Sequence, residues 1–151
     1  MKFEVVANVY EWNDVSLNGA LHIELDGKPF PEKHWSGSIS EMLIMWAENL
    51  LSLLEAGADG NEEFLFLGSL YAFTIRRSGS GKAMLILTGS PMSADEQYFE
   101  VSFYGMISAV FFCIDSLTGE KRFEEVQQVK RLEKMAQRLK KASEAQGYHM
   151  D

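Results

Sequence analysis

The first part of the chain alternates between apolar and polar side chains with the period of half-buried β-strands. The alternation covers residues 2–12 and residues 20–25. An Asn-Gly dipeptide at 18–19 and an Asp-Gly dipeptide at 26–27 are typical of tight turns, because these residues tolerate a positive φ. The pattern predicts two strands joined in a meander, with a turn at each dipeptide.

The period changes from two to three or four after the two prolines near residue 30. Ser38 and Glu41 have the spacing of a capping box, in which each side chain bonds the backbone N–H of the other residue. Apolar side chains then recur at helical spacing until Gly57, a residue typical of helix ends. We therefore predict a heavily buried helix over residues 39–57 that lies across a sheet.

Four apolar and aromatic segments follow, at residues 64–67, 70–77, 83–88 and 98–103. They are separated by short Gly- and Ser-containing connections, which favour antiparallel hairpins over parallel crossovers.

The last third of the chain has mainly helical spacing. Residues 106–117 fit one helix face, although residues 110–114 alone fit a strand equally well. From about residue 120 to 142–147, a narrower apolar stripe is bordered by Lys and Arg. The sequence therefore predicts an α+β fold, as a single globular domain over residues 1–151. We expect a mainly antiparallel meander sheet of about six strands, packed against two or three helices.

Negative charge is concentrated in the first three-quarters of the chain. The protein has 151 residues, with 14 Lys and Arg against 22 Asp and Glu, and a net charge of −8. Residues 1–118 hold six basic and sixteen acidic side chains, whereas residues 119–151 hold eight basic and six acidic ones. An acidic body repels nucleic-acid phosphates and attracts a basic protein. The alternative interpretation is that the acidic side chains only keep the protein soluble.

The sequence predicts a cytoplasmic protein that does not interact with membranes. The first ten residues lack the pattern of a secretory signal, and the longest apolar stretches are too short to cross a bilayer. Cys113 is the only cysteine, which excludes an internal disulfide. We interpret Cys113 as a small core hydrophobe, because no histidine is placed beside it to make it a nucleophile.

No motif in the sequence predicts catalysis, a metal site or a cofactor. The Gly- and Ser-rich segment 77–82 has Arg76 where a phosphate-binding loop requires its first Gly, and Ala83 where it requires Ser or Thr. We therefore predict a hairpin tip there. His22 and Glu24 share one face of a predicted strand, but two ligands are too few to indicate a metal site. The expectation is a protein that is not an enzyme.

Several segments resemble small bacterial immunity proteins of polymorphic toxin systems. They are Leu-Asp-Gly-Lys-Pro-Phe-Pro at 25–31, Trp35, Trp-Ala-Glu-Asn-Leu-Leu at 46–51, and the aromatic segment at 63–73. The resemblance covers roughly residues 20–75. It implies a non-enzymatic inhibitor that binds and blocks a cognate toxin, often a nuclease.

The leading hypothesis is a non-catalytic binding protein, an immunity protein that covers a basic face of its cognate toxin with acidic side chains. Trp35 is interpreted either as a lid over the core or as an exposed anchor for the partner. The candidate contacts are Glu24, Asp26, Glu32 and Trp35 around the first turns, and Asp59, Glu62, Asp95 and Glu96 on loops.

Two alternatives from other classes remain open at this point. One is a small-molecule-binding module or an enzyme, with His22 and Glu24 converging in a cleft between sheet and helices. The other is a homo-oligomer that uses the stripe over residues 123–139 as a helix-pairing seam. The sequence identifies neither the partner nor the oligomeric state.

Overall fold

A computed structural model describes residues 1–33, 35–79, 81–89 and 97–150. Over these residues the chain forms eight strands and three α-helices. The strands are β1 (Phe3–Trp12), β2 (Leu17–Leu25), β3 (Lys28–Phe30), β4 (Ser36–Ser38), β5 (Asn61–Leu65), β6 (Ala72–Arg77), β7 (Lys82–Thr88) and β8 (Gln97–Ser102). The helices are α1 (Ile39–Ala56), α2 (Phe103–Thr118) and α3 (Gln127–Ala145).

The strands form two antiparallel sheets of four strands each, which corrects the predicted single meander of about six strands. In the first sheet β2 is central, with β1 on one edge and both β3 and β4 on the other. The second sheet is the meander β5-β6-β7-β8. Short Gly and Ser connections specify only which neighbouring strands pair. Helix α1 connects the two sheets, from β4 to β5.

The predicted turn at residues 26–27 is confirmed, whereas the one at 18–19 is wrong. Asp26 and Gly27 have φ values of 50° and 81° between β2 and β3. The Asn-Gly dipeptide instead lies within β2. The turn between β1 and β2 is formed by residues that come before this dipeptide. There the side chain of Asn13 accepts hydrogen bonds from the N–H groups of Val15 and Ser16, at 2.8 and 2.9 Å. This short side-chain-to-backbone pattern makes a tight turn without glycine.

Helix α1 matches the predicted span within one residue. It ends before Gly57, whose φ of 69° breaks the helix. The predicted capping box is not formed, because the Ser38 side chain makes no hydrogen bond to the helix N-terminus. The helix is set instead by its apolar face, which is buried along its whole length.

Helices α2 and α3 complete the layer that packs with α1. Residues 110–114 belong to α2, which decides the alternative between helix and strand in favour of helix. The stripe over residues 123–139 is buried, and α3 packs against α1 and α2 of its own chain. A helix-pairing seam between copies along this stripe is therefore wrong.

Aromatic side chains join the two sheets into one core. Phe64 and Phe73 stack with their ring centroids 4.8 Å apart in the second sheet. Phe3 of β1 meets Phe73 edge-on at 6.1 Å, and Phe30 of β3 meets Phe66 at 5.8 Å. Both sheets and all three helices contribute to this hydrophobic cluster.

Candidate partner-binding surface

The predicted carboxylates around the first turns are largely engaged by the protein's own groups. A Glu24 carboxylate oxygen lies 2.9 Å from Nε2 of His22. The carboxylate of Asp26 accepts a hydrogen bond of 2.8 Å from the backbone N–H of Lys2. Glu32 is exposed. Two of these three side chains therefore stabilise the ends of β1 and β2, which leaves fewer acceptors for a partner.

Trp35 packs as a lid on the core, as the first of its two interpretations expected. Its ring meets Phe66 edge-on at a centroid distance of 5.5 Å, and the side chain is half-buried. Its backbone oxygen accepts a 2.8 Å hydrogen bond from the N–H of Leu21, which ties the loop to β2. The contacts of Trp35 thus explain its place in the loop without a partner.

Asp59 and Glu62 fall within a second group of acidic residues, where α1 meets β5. Glu55 lies in the last turn of α1, Asp59 in the single 3-10 turn that follows, and Glu62 and Glu63 on β5. Glu55, Asp59 and Glu63 are exposed and Glu62 is half-buried. We refer to these four residues as the acidic ridge.

Polar contacts between α1 and β5 hold the acidic ridge together. The Ser52 hydroxyl donates a hydrogen bond of 2.8 Å to the Glu62 carboxylate. The Asn49 side-chain N–H donates another of 2.8 Å to the backbone oxygen of Glu63. Positions 52 and 55 lie on the same face of a helix because they are three residues apart. Glu55 therefore projects from the side of α1 that borders β5.

No carboxylate of the acidic ridge belongs to an ion pair among the described residues. Six ion pairs are present among the described residues, and none involves a ridge carboxylate. Arg76 of β6 is exposed and lies opposite Asn61, next to Glu62, but it belongs to none of these ion pairs. Arg77 is turned inward: its guanidinium donates to the Leu53 backbone oxygen at 3.2 Å and lies 4.3 Å above the ring of Phe103. The ridge thus keeps its field available to a partner.

The eight predicted contact residues do not form one surface. Trp35 reaches the second sheet at Phe66, just beyond β5, whereas Glu62 is near the opposite end of that strand. Four residues of extended chain span about 13 Å. Asp95 and Glu96 lie outside the described residues. Of the predicted residues, only Asp59 and Glu62 belong to the ridge.

Sequence reasoning missed Glu55 and Glu63 as members of this surface. Glu41, Glu48 and Glu55 recur every seven residues on α1 and are exposed, which is the pattern of a solvent-facing helix stripe. That spacing was the available signal for Glu55. The docking of β5 beside α1 was not visible in the sequence, because it depends on contacts between separate elements.

The other side chains that could take part in catalysis or metal binding are buried or have a structural role. His22 is 1% exposed, so its imidazole is enclosed beside Glu24 rather than presented to a ligand. Burial raises the pKa of the Cys113 thiol from 9.0 to about 12, which keeps the thiol protonated at neutral pH. No group of three or more metal-binding side chains occurs in the described part of the chain. The segment around 77–82 connects the antiparallel strands β6 and β7, as predicted for a hairpin.

Helix α3 carries six of the fourteen Lys and Arg residues of the chain. Lys130, Lys134, Arg138 and Lys141 are exposed and recur at three- and four-residue steps. Two ion pairs connect this region to acidic residues: Arg131 contacts Glu48 of α1 at 2.7 Å, and Lys130 lies within 3.6 Å of a nearby carboxylate. Basic side chains thus occupy the exposed surface of α3.

Comparisons with known proteins identify no relative. None of the described helices is long and apolar enough to cross a bilayer. The chain matches no profile of a known protein family, no curated protein sequence and no solved structure.

Proposed function

We propose that this chain is a non-catalytic, cytoplasmic binding protein that presents the acidic ridge to a basic surface of a partner protein. The observation that carries the proposal is the set of four carboxylates where α1 meets β5, Glu55, Asp59, Glu62 and Glu63, none of which belongs to a described ion pair. The resemblance to immunity proteins supports a toxin as the partner, because such proteins act by covering their toxin.

Charge alone sets the rate and orientation of encounter more than the final affinity. An apolar contact is needed beside it, and Leu65 supplies one. Leu65 is 37% exposed and lies two residues from Glu63, so both side chains project from the same face of β5. The proposed contact is therefore Leu65 beside Glu63, in place of the Trp35 anchor that the sequence suggested. Glu62 projects from the other face of β5, toward Ser52 of α1.

The first experiment identifies the partner. Each basic protein encoded beside this gene is produced with the chain, and binding is measured by biolayer interferometry at several salt concentrations. We expect one such protein to bind, with an association rate that falls as salt rises. If it is a toxin, the chain also restores growth to cells that express it. Failure of every neighbouring basic protein to bind would overturn the proposal.

The second experiment separates the ridge from net charge. The ridge variant carries Glu55→Gln, Asp59→Asn, Glu62→Gln and Glu63→Gln. The control carries Glu11→Gln, Asp26→Asn, Glu32→Gln and Glu124→Gln, which changes net charge equally at distant positions. We expect the ridge variant to associate about tenfold more slowly at low salt, with a much smaller change in the control. Equal effects of the two variants would show that overall charge, and not the ridge, attracts the partner.

A further inference from the structure

Helices α1 and α3 run side by side in the same direction. Near their starts, the Ser40 hydroxyl of α1 donates a hydrogen bond to the side-chain oxygen of Gln128 in α3. Near their ends, the Leu54 backbone oxygen of α1 accepts a hydrogen bond of 2.6 Å from the side chain of Gln146, one residue beyond α3. Because starts meet starts and ends meet ends, the two helices are parallel neighbours.

Helix α1 exposes a narrow line of acidic side chains. Glu41, Glu48 and Glu55 are exposed and recur every seven residues, so they lie along one side of the helix. With a rise of 1.5 Å per residue, each is about 10.5 Å from the next along the axis. The helix contains no basic residue. We refer to these three residues as the α1 stripe.

Helix α3 exposes a line of basic side chains. Lys130, Lys134, Arg138 and Lys141 recur at steps of three or four residues, so they also lie along one side of their helix. The apolar side of α3 is buried against α1 and α2, which leaves the basic side for other contacts. Lys134 and Lys141 have the same seven-residue spacing as the acidic line. We refer to these four residues as the α3 stripe.

One ion pair shows that the two stripes are neighbours on the protein surface. Arg131, which follows the first lysine of the α3 stripe, contacts Glu48 of the α1 stripe at 2.7 Å. The other side of α1 faces β5, where Asn49 and Ser52 make their hydrogen bonds. An acidic line and a basic line therefore run next to each other along this face.

Most charges of the two stripes are not neutralised within the described part of the chain. Glu41 and Glu55 belong to none of the six described ion pairs. The same holds for Lys134, Arg138 and Lys141. Both stripes thus keep charge that a surface with the opposite arrangement would neutralise.

The parallel arrangement decides which kind of surface fits. A uniformly negative surface, such as a nucleic acid or an anionic membrane, attracts the α3 stripe but is repelled by the α1 stripe beside it. A uniformly basic surface that covers both stripes is repelled by the α3 stripe. The fitting surface carries one acidic and one basic line in the reverse order. A second copy of the chain presents this order after half a turn about an axis midway between the two helices.

We propose that this face binds the same face of a second copy, with the twofold axis parallel to α1 and α3. The α1 stripe of each copy lies over the α3 stripe of the other, so every contact occurs twice. Rotation about this axis does not change the position of a residue along the helices. The contact between Ser40 and Gln128 therefore also sets the register between copies, with the start of one helix over the start of the other.

This register brings opposite charges to the same level along the helices. Glu48 and Glu55 lie about 12 Å and about 22 Å beyond Ser40. The first distance, measured along α3 from Gln128, ends midway between Lys134 and Arg138. The second ends two residues, about 3 Å, beyond Lys141. Because single exposed ion pairs contribute little, the dimer depends on all of these pairs together and is sensitive to salt.

The pairing goes beyond the proposed function and does not require it. Only Glu55 belongs to both the acidic ridge and the α1 stripe. A partner that binds a monomeric chain would support the function and contradict this inference. A dimer without any partner would support this inference and contradict the function.

The first test measures the dimer and its dependence on salt. Sedimentation equilibrium is run on the full chain at micromolar to submillimolar concentrations, in about 20 mM and about 500 mM NaCl. We expect a dimer at low salt whose dissociation constant rises by about tenfold or more at high salt. A monomer at low salt, or a dimer that salt does not weaken, overturns the proposal.

The second test reverses each stripe separately and then combines the two variants. The α1 variant carries Glu48→Lys and Glu55→Lys, and the α3 variant carries Lys134→Glu and Lys141→Glu. We expect each variant alone to be monomeric, because like charges then meet across the axis. We expect an equimolar mixture to form a heterodimer, because the acidic stripes of one variant meet the basic stripes of the other. Dimers of either variant alone, or no heterodimer, would contradict the proposed pairing.

Net charge does not explain this expected result. The wild type has a net charge of −8 and each double substitution changes it by four, so both variants stay negative and repel each other over long distances. The control carries Lys28→Glu and Lys33→Glu at exposed positions outside α3, with the same change in net charge as the α3 variant. We expect the control to dimerise with a dissociation constant within about threefold of the wild type. An equal loss of dimer in the control and the α3 variant would show that net charge, and not the stripes, governs association, and would overturn the proposal. Circular dichroism checks that every variant is folded.

Discussion

The Ser40 hydroxyl donates a hydrogen bond to the side-chain oxygen of Gln128 and accepts one of 2.9 Å from the N–H of Leu17. These three residues lie near the starts of α1, α3 and β2, so one buried hydroxyl joins three elements. The neighbouring turn adds to this junction, because the backbone oxygens of Asp14 and Val15 accept the N–H groups of Gln127 and Gln128. The N-terminus of α3 is thereby satisfied by backbone rather than by a capping side chain.

Ser40→Ala tests how much this junction contributes to stability. The substitution leaves the N–H of Leu17 buried without its acceptor and removes the donor to Gln128, so we expect a loss of about 1–3 kcal/mol in the free energy of unfolding. Urea unfolding followed by circular dichroism measures the loss. Ser52→Ala is the control, because Ser52 makes one hydrogen bond at an exposed site. A Ser40→Ala loss no larger than that of the control would show that the junction is not stabilising.

Trp46 is the residue whose loss we expect to weaken the core most. It is fully buried, its ring lies 5.3 Å from Phe66 and from Phe73, and its indole N–H donates to the Leu65 oxygen at 3.0 Å. Trp46→Phe removes volume and leaves the Leu65 oxygen without its donor. We expect a loss of about 2–4 kcal/mol in urea unfolding.

Trp12→Phe is the matched control for Trp46→Phe. Trp12 is exposed and meets Phe123 edge-on at 5.1 Å, a contact that phenylalanine retains in part. We expect a loss below about 1 kcal/mol. Equal losses for the two variants would mean that the hydrogen bond and the tight packing of Trp46 contribute little.

The span of α1 was predictable because it depends on local pattern, whereas α3 begins at Gln127, about seven residues after the predicted start near residue 120. The apolar stripe and Gly57 defined α1 to within a residue, and the Asp26 and Gly27 turn followed from their tolerance of positive φ. The prediction of a capping box at Ser38 and Glu41 was wrong. The spacing is typical of that geometry, but the Ser38 side chain does not form the capping hydrogen bond.

The features that failed depend on contacts between distant parts of the chain. Gly19 was predicted in a turn, yet it lies in β2 because the backbone of β1 passes close beside it. Trp35 was open to two interpretations until its contact with Phe66 showed it to be a lid. Likewise, the ridge includes Glu55 only because Asn49 and Ser52 hold β5 against α1. None of these contacts has a signal in the residues that make them.

Gly19→Ala is expected to be severely destabilising because of this close approach. A Cβ at position 19 would lie 2.1 Å from the Asn8 oxygen and 2.8 Å from the Tyr10 nitrogen, so β1 and β2 must separate to admit it. We expect a loss of about 3 kcal/mol or more, or failure to fold. The yield of folded protein and its urea midpoint measure the effect.

Gly27→Ala provides the comparison, because it tests backbone conformation without a clash. Gly27 has a φ of 81° and no atom within 4 Å of an added Cβ. We expect Gly27→Ala to lower the free energy of unfolding by about 1–2 kcal/mol, because an L residue is unfavourable in the left-handed region. If Gly19→Ala were no worse than Gly27→Ala, close approach of the strands would not be the reason for the glycine.

The buried thiol of Cys113 predicts a specific dependence on pH. Burial disfavours the thiolate and raises the pKa from 9.0 to about 12, so the folded protein retains a proton that the unfolded chain loses above pH 9. Stability is therefore unaffected by this group below pH 9 and falls as pH rises from 9 toward 12. The slope is at most about 1.4 kcal/mol per pH unit. Urea unfolding over this pH range measures it.

Cys113→Ala isolates the thiol from the lysines and tyrosines that also titrate at high pH. The variant has no thiol, so we expect its stability to fall less steeply above pH 9 than that of the wild type, and the difference between the two curves gives the contribution of Cys113. Alkylation by iodoacetamide is a second measurement. At pH 8 a pKa near 12 leaves about 10⁻⁴ of the thiol ionised, against about 10⁻¹ in the unfolded chain, so urea should accelerate the reaction about 10³-fold. Parallel pH curves together with rapid alkylation of the folded protein would show that the thiol ionises normally and that burial does not shield it.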